Sequence, residues 1–247
     1  MVACAGANSP STAHANPLTL IYEASLGPLP VFEAEISLDL RSSSFGVTSD
    51  IRPVAMFSKL YDVTLLGSAA GSVAQGALAP REYQSDSAFT QQQTTVKIAY
   101  QDRGRRAVRI APLRQGQKAA EATGALDPLS SLANLVAQLS QTGACPNEVM
   151  VFDGWRTFGI AVETAGTVQV PAHPRSIFSG QAVQCRFYVN QDSAGPQGRG
   201  SNDYLAYMRQ GTIYLGEAVS AAPRVPVLVE AGDPVGGVSL YLRKAGK

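Results

Sequence analysis

The sequence predicts a mainly β protein, an antiparallel meander of short strands with one helix that divides the chain near its middle. Three observations lead there. Short apolar segments recur about every ten residues, the rhythm of strands joined by turns. Many of the 23 glycines and 15 prolines fall between those segments, where the backbone must reverse. Only one segment, Asp127 to Gly143, combines apolar residues at spacings of three and four with stop signals at both ends.

The elements follow in chain order. Leu18 to Leu26 reads as the first strand, and Gly27, Pro28, Leu29 and Pro30 as a turn. From Val31 to Leu40 the pattern alternates strictly. Phe32, Ala34, Ile36, Leu38 and Leu40 share one face, and Glu33, Glu35, Ser37 and Asp39 share the other. That period of two marks a strand with one wet face. Phe45 to Ile51 and Leu60 to Leu66 continue it, separated by a turn containing Pro53. Val96 to Tyr100 and Arg106 to Ile110 flank a glycine-containing hairpin tip. Gly116 to Gly124 is polar and Ala-rich and reads as a linker or an extra turn of helix. In the helix, Asp127 is a natural N-cap, Pro128 occupies N1 and Gly143 can end the last turn. Leu129, Leu132, Val136 and Leu139 form a narrow apolar stripe, with Ser130, Ser131, Asn134 and Gln138 opposite. Strands are then expected at Glu148 to Phe152, Phe158 to Glu163, Ala182 to Val189, Gly211 to Leu215, Val225 to Glu230 and Gly236 to Leu242, with a long polar loop at Gln191 to Asp203. The domain expectation is a tail or signal-peptide remnant over 1–16 and a single β-rich domain over 17–247. Its halves, 17–115 and 144–247, are joined by linker and helix at 116–143.

Composition removes several function classes. Lys+Arg is 20 and Asp+Glu is 19, so the basic excess of a nucleic-acid binder is missing. No apolar run approaches the roughly 18 residues of a transmembrane helix. The two histidines, His14 and His173, are too few for a His-rich metal site. His173 lies between prolines in a loop pattern, with no G-x-S-x-G elbow elsewhere to partner it. Glu33, Glu35 and Asp39 belong to a wet strand face, not to a paired-carboxylate site. No catalytic residue, metal or cofactor is therefore expected, and the protein is read as non-enzymatic.

Met1 to Asn16 carries no charge and holds two overlapping processing patterns. Ala13-His14-Ala15 fits signal peptidase cleavage before Asn16. Val2 to Gly6 resembles a lipobox, with Cys4 as the lipidated residue. An ordinary flexible tail is the third reading. Setting Cys4 aside, Cys145 and Cys185 remain as an even pair. Exported proteins commonly oxidise such pairs, and two separate buried thiols are the alternative. Two surface features carry charge. Asp153 and Arg156 flank the Asp153-Gly154 turn signal, either closing a β-turn or forming a small polar site. Arg103, Arg105, Arg106 and Arg109 form a basic run, read as a solvated hairpin tip, with contact to anionic head groups as the sharper reading.

Four ordered words carry a resemblance. They are Ala77 to Tyr83 with Pro80, Arg81 and Glu82; Gly124-Ala125-Leu126-Asp127-Pro128-Leu129; Cys145 followed after five residues by Val151-Phe152-Asp153-Gly154-Trp155-Arg156; and Phe178-Ser179-Gly180 leading to Ala182 and Cys185. In this order they resemble the bacterial family called domain of unknown function 3108, over about Leu18 to Leu242. Trp155 stands where that family carries a basic residue, and the 191–203 loop lacks its apolar, Pro- and Tyr-containing stretch. The resemblance implies an exported, periplasmic cell-envelope protein of Gram-negative bacteria. It implies an antiparallel curved sheet, an open or spiral β-barrel, wrapped around one central helix, similar to periplasmic lipoprotein carriers and to the envelope integrity protein B type of β-spiral. The family's two cysteines fall on Cys145 and Cys185, which implies a disulfide.

A strongly curved sheet must fill its concave face with side chains, a helix or a guest. With one narrow-striped helix, an apolar groove lined by Phe32, Ile36, Leu38, Leu129, Leu132, Ala133 and Val136 is expected, and a lipid or other apolar ligand is its expected guest. The alternative is a structural envelope-integrity protein acting through protein–protein contacts.

Overall fold

The structure, a computed structural model, describes residues 16–58, 63–89, 92–101, 106–112, 124–190, 209–232 and 237–247. Cys4, the 13–15 cleavage pattern, Leu60, Arg103, Arg105, most of the 116–124 linker and the 191–203 loop lie outside the described residues. The first half carries β1 (Leu18–Leu26), β2 (Leu29–Leu40), β3 (Ser44–Pro53), a single helical turn α1 (Ala55–Ser58), β4 (Val63–Ala74), β5 (Ala77–Phe89), β6 (Gln92–Tyr100) and β7 (Arg106–Ala111). Helix α2 (Pro128–Thr142) follows. The second half carries β8 (Glu148–Phe152), β9 (Thr157–Val170), β10 (Gly180–Asn190), β11 (Gln210–Gly216), β12 (Val225–Ala231) and β13 (Val238–Gly246).

All thirteen strands form one sheet in the order β7-β6-β5-β4-β3-β2-β1-β13-β12-β11-β10-β9-β8. Every neighbouring pair is antiparallel. Two meanders thus run outward from the central β1–β13 pair, and β7 and β8 are the sheet's two ends. Helix α2 lies against β2, β3, β4, β5 and β8. The interior draws on both halves: Leu20, Val47 and Ile98 share one cluster with Phe152, Val227 and Leu242.

The alternation in β2 is realised, with Ala34 and Leu38 buried and Glu33 and Glu35 exposed. The helix ends as its sequence predicts. Asp127 takes an extended conformation and its carboxylate accepts from Ser130 N, while Gly143, at φ 72°, donates its N–H to Leu139 O. The flanking cap chemistry fixes both ends of α2 because the first N–H and last C=O groups need partners outside the helix.

Several expectations are corrected. Pro30 lies inside β2 rather than in the turn, at a register shift opposite Ser25. Pro80 and Pro226 also sit at register shifts, because a bulge leaves one residue out of the ladder and so tolerates a missing N–H. Pro53 ends β3, and α1 follows it. Strand β5 is an addition to the predicted set, and β4 and β9 run longer than predicted. The helix is buried over more than a narrow stripe: Ser130, Ala133, Leu135, Val136 and Leu139 are all buried, whereas Leu129 and Leu132 are only partly so. Ser130, expected on the polar side, is 0% exposed. A helix enclosed by a curved sheet is covered on two sides, one facing the main interior and one facing β10 and β11 through Leu135 and Leu139.

Candidate functional site

The predicted groove divides in two. Ala133 and Val136 are each 0% exposed, and Leu38 is buried with them in the main cluster. No water-sized space touches the first two, so the helix fills the sheet there. The close approach depends on Gly67 of β4, where an added Cβ would stand 3.0 Å from Leu129 Cδ1 and 2.6 Å from Ser49 Oγ. Phe32, Ile36, Leu129 and Leu132 are half-buried.

An apolar opening lies beside the N-terminal half of α2. Leu65 is two residues from Gly67 on the same strand and therefore shares the face that meets the helix. It is nonetheless 40% exposed. Phe89 shares the buried face of Tyr83 by the same alternation and is 46% exposed. Leu65 pairs with Ile51, and Phe89 pairs with Val63. Phe32 pairs with Pro53 one strand further on. These residues make an apolar mouth on the concave side of β2 to β5. In sequence Leu65 and Leu66 are adjacent and both apolar, so alternation does not tell which of them faces inward. That the helix stops short of covering Leu65 has no sequence signal.

A polar cluster sits at the other side of the helix N-terminus. Tyr100 OH donates to Asp127 Oδ2 at 2.8 Å and accepts from Asp127 N at 2.8 Å. Arg106 donates from Nη2 to Ala125 O. Its guanidinium stacks over Tyr100 and Phe152, 5.1 and 5.8 Å from the ring centroids. Arg106 is therefore not part of a solvated tip, while Arg109 is exposed. Burial pushes the Asp127 carboxyl above its usual range, against the hydrogen bonds from Ser130 and Tyr100. Burial and the adjacent Asp127 charge push the Tyr100 phenol well up, and burial pulls the Arg106 guanidinium down. Nothing in the sequence pairs Tyr100 and Arg106 with Asp127, since they flank a hairpin tip and meet the helix cap only through the sheet's curvature.

Asp153 and Arg156 come together, but as a turn. Asp153 Oδ1 accepts from Trp155 N and Arg156 N at 2.8 and 2.9 Å, and Oδ2 accepts from Arg156 Nε at 3.2 Å. This closes the β8–β9 hairpin, with Gly154 at φ 98° packed on Val96. Cys145 and Cys185 are joined by a disulfide, Cα to Cα 6.0 Å, in a cluster with Leu135, Leu139, Val183 and Leu215. His173 lies outside the strands, its ring stacked on Tyr241 at 4.4 Å. Among the described residues no group of His, Cys, Asp and Glu is placed to hold a metal ion, and no helix is long and apolar enough to cross a membrane. An open depression of about 470 Å³ lies across β10 to β13, lined by Arg186, Tyr188, Thr212, Glu230 and Ser239. It is bordered in sequence by 191–208 and 233–236, outside the described residues.

No curated protein matches the sequence. Among solved structures, a crystal structure of a β-barrel-like protein of domain of unknown function 1849 from Brucella abortus is similar. The TM-score is 0.56 at 10% identity, over 93% of this chain and 97% of that one. At that identity the likeness is one of fold. The family model described as protein of unknown function (DUF3108) matches residues 21–243, nearly the whole sheet from β1 to β13, and the chain belongs to that family.

Proposed function

We propose that the protein is a non-enzymatic periplasmic cell-envelope protein that binds or carries a lipid or other apolar ligand. The ligand sits at the concave mouth formed by Phe32, Ile51, Leu65, Phe89 and Leu129. The observation that carries this reading is the exposure of Leu65 and Phe89 on the face that elsewhere packs against α2. Inward apolar side chains left open to water are the usual lining of apolar ligand sites. The Cys145–Cys185 bond supports export, because the cytosol keeps such pairs reduced.

Binding of a fluorescent fatty acid to the purified protein tests the proposal. Leu65 is exposed enough for Leu65→Lys to fold, and the buried charge should weaken binding by about tenfold or more, equivalent to about 1.4 kcal/mol. A protein that binds no probe and carries no lipid when purified from its own envelope rules the reading out. A second reading, a structural envelope protein acting through protein contacts, draws on β7, which among the described residues has β6 as its sole strand partner. Such an edge accepts an added strand. A fusion of the open reading frame to a reporter active only outside the cytoplasm tests the compartment for both.

A further inference from the structure

The sheet has twelve backbone-paired steps between its thirteen strands. Among the described residues β7 and β8, the two ends of this open sheet, share no backbone pairing, and the 124–127 segment lies between them. On the β8 side the segment before α2 pairs as a short parallel strand, with Leu126 N donating to Met150 O and Phe152 N donating to Leu126 O, both at 2.7 Å. On the β6–β7 side, the hydrogen bonds run through side chains. These are Arg106 to Ala125 O and the two bonds between Tyr100 OH and Asp127. The turn at Gly154 packs on Val96 beside them.

This closure is imperfectly satisfied. Among the described residues, Arg106 Nε and Nη1 and Ser130 Oγ are buried without a hydrogen-bond partner. Aromatic faces cover the guanidinium plane but cannot accept from its edge. Burying an unpaired donor costs free energy that water returns when the site opens. Elsewhere, parting two strands sacrifices a ladder of backbone bonds. At this junction it sacrifices three bonds and rehydrates three orphaned atoms. The junction is thus where the barrel parts most cheaply. Asp127 is also the N-cap of α2, so parting it loosens the turn that carries Leu129 at the apolar mouth.

We infer that Tyr100 and Arg106 form a side-chain latch between β6–β7 and the 124–127 segment. Its opening gives the ligand access to the concave interior. The access step rests on the ligand reading proposed above, whereas the latch stands on the junction alone. Arg106→Met keeps an unbranched chain between the rings but removes the bond to Ala125 O, so it loosens the junction. Tyr100→Phe removes both bonds to Asp127 and frees it.

Amide hydrogen exchange on the ligand-free protein tests the latch. β7 and 124–127 should exchange faster than β1 and β13, and about tenfold faster again in Arg106→Met and in Tyr100→Phe. Equal protection of the junction and the central strands, or unchanged junction exchange in both variants, overturns the latch. Release of a bound fluorescent fatty acid should follow the same order among the three proteins. A probe that binds all three and leaves at one rate overturns the access step. Absence of any probe binding counts against the proposed function, and the exchange data still decide the latch.

Discussion

Reducing the Cys145–Cys185 bond should lower the melting temperature by about 8–16 °C. The bond spans 40 residues of sequence, from the end of α2 to the middle of β10. On the chain-entropy account, opening a loop of that length costs about 4 kcal/mol. For a chain of this size each kcal/mol moves the melting temperature by about 2–4 °C, which gives the range. Both sulfurs lie among Leu135, Leu139, Val183 and Leu215, so a cysteine replacement would mix loss of the link with loss of packing. Reduced wild type keeps the sulfur volume and isolates the link. Scanning calorimetry should therefore compare oxidised wild type, wild type reduced in denaturant and refolded, and Cys145→Ala/Cys185→Ala. The double variant should ignore reductant and melt at or below reduced wild type, since each missing sulfur leaves a small void. A fall of less than about 3 °C on reduction would refute the reasoning, because the loop would then already be held in the unfolded chain or be irrelevant to it.

Three further outcomes are expected. Ala133→Leu adds volume where no space exists and should destabilise by about 1–3 kcal/mol in urea denaturation; unchanged stability would mean an unfilled groove beside the helix. Gly154→Ala drives a Cβ into Val96 Cγ1 at a φ of 98°, and should cost about 1–3 kcal/mol, read as a shifted denaturation midpoint. The Asp127 carboxyl is raised in the folded state by burial, so its contribution is most favourable when protonated and is lost as pH rises through its folded value. Asn is a comparable N-cap without charge. The stability of wild type relative to Asp127→Asn should accordingly improve as pH falls from about 7 toward about 4, and a gap that is flat or widens the other way would contradict the burial account.

The legible parts of the fold are those where one residue decides its own environment. The alternation from Phe32 to Leu40 predicts a strand because each apolar side chain needs the same dry face. Asp127, Pro128 and Gly143 predict the ends of α2 because capping is local chemistry. Strand β5 escapes that logic. Its segment is mostly polar and small, holds Pro80, and among its residues Tyr83 is the buried one; it is a strand because β4 and β6 supply ladders on both sides. Ser130 and Leu135 were equally hidden, since a 3.6-residue period describes one buried face and this helix is enclosed on two. At the site, Leu65 and Leu66 are adjacent and equally apolar, so which of them faces inward, and that it stays open to water, depends on where α2 lies. The Tyr100–Asp127–Arg106 cluster depends on curvature that brings together residues 27 and 21 positions apart.

The strand order also has a consequence for connectivity. β1 and β13 are neighbours, with Thr19 opposite Gly246, so the first and last strands meet at the middle of the sheet and the mid-chain lies at its rim. A circularly permuted chain that begins just before α2, joins β13 to β1 through a short linker and finishes at β7 would have all thirteen strands in consecutive order. Every strand pair would then be a hairpin or near-hairpin, and the one long-range pairing in the sheet would become local. Such a permutant should fold faster than the natural order, because loop closure over some two hundred residues no longer precedes formation of the central pair.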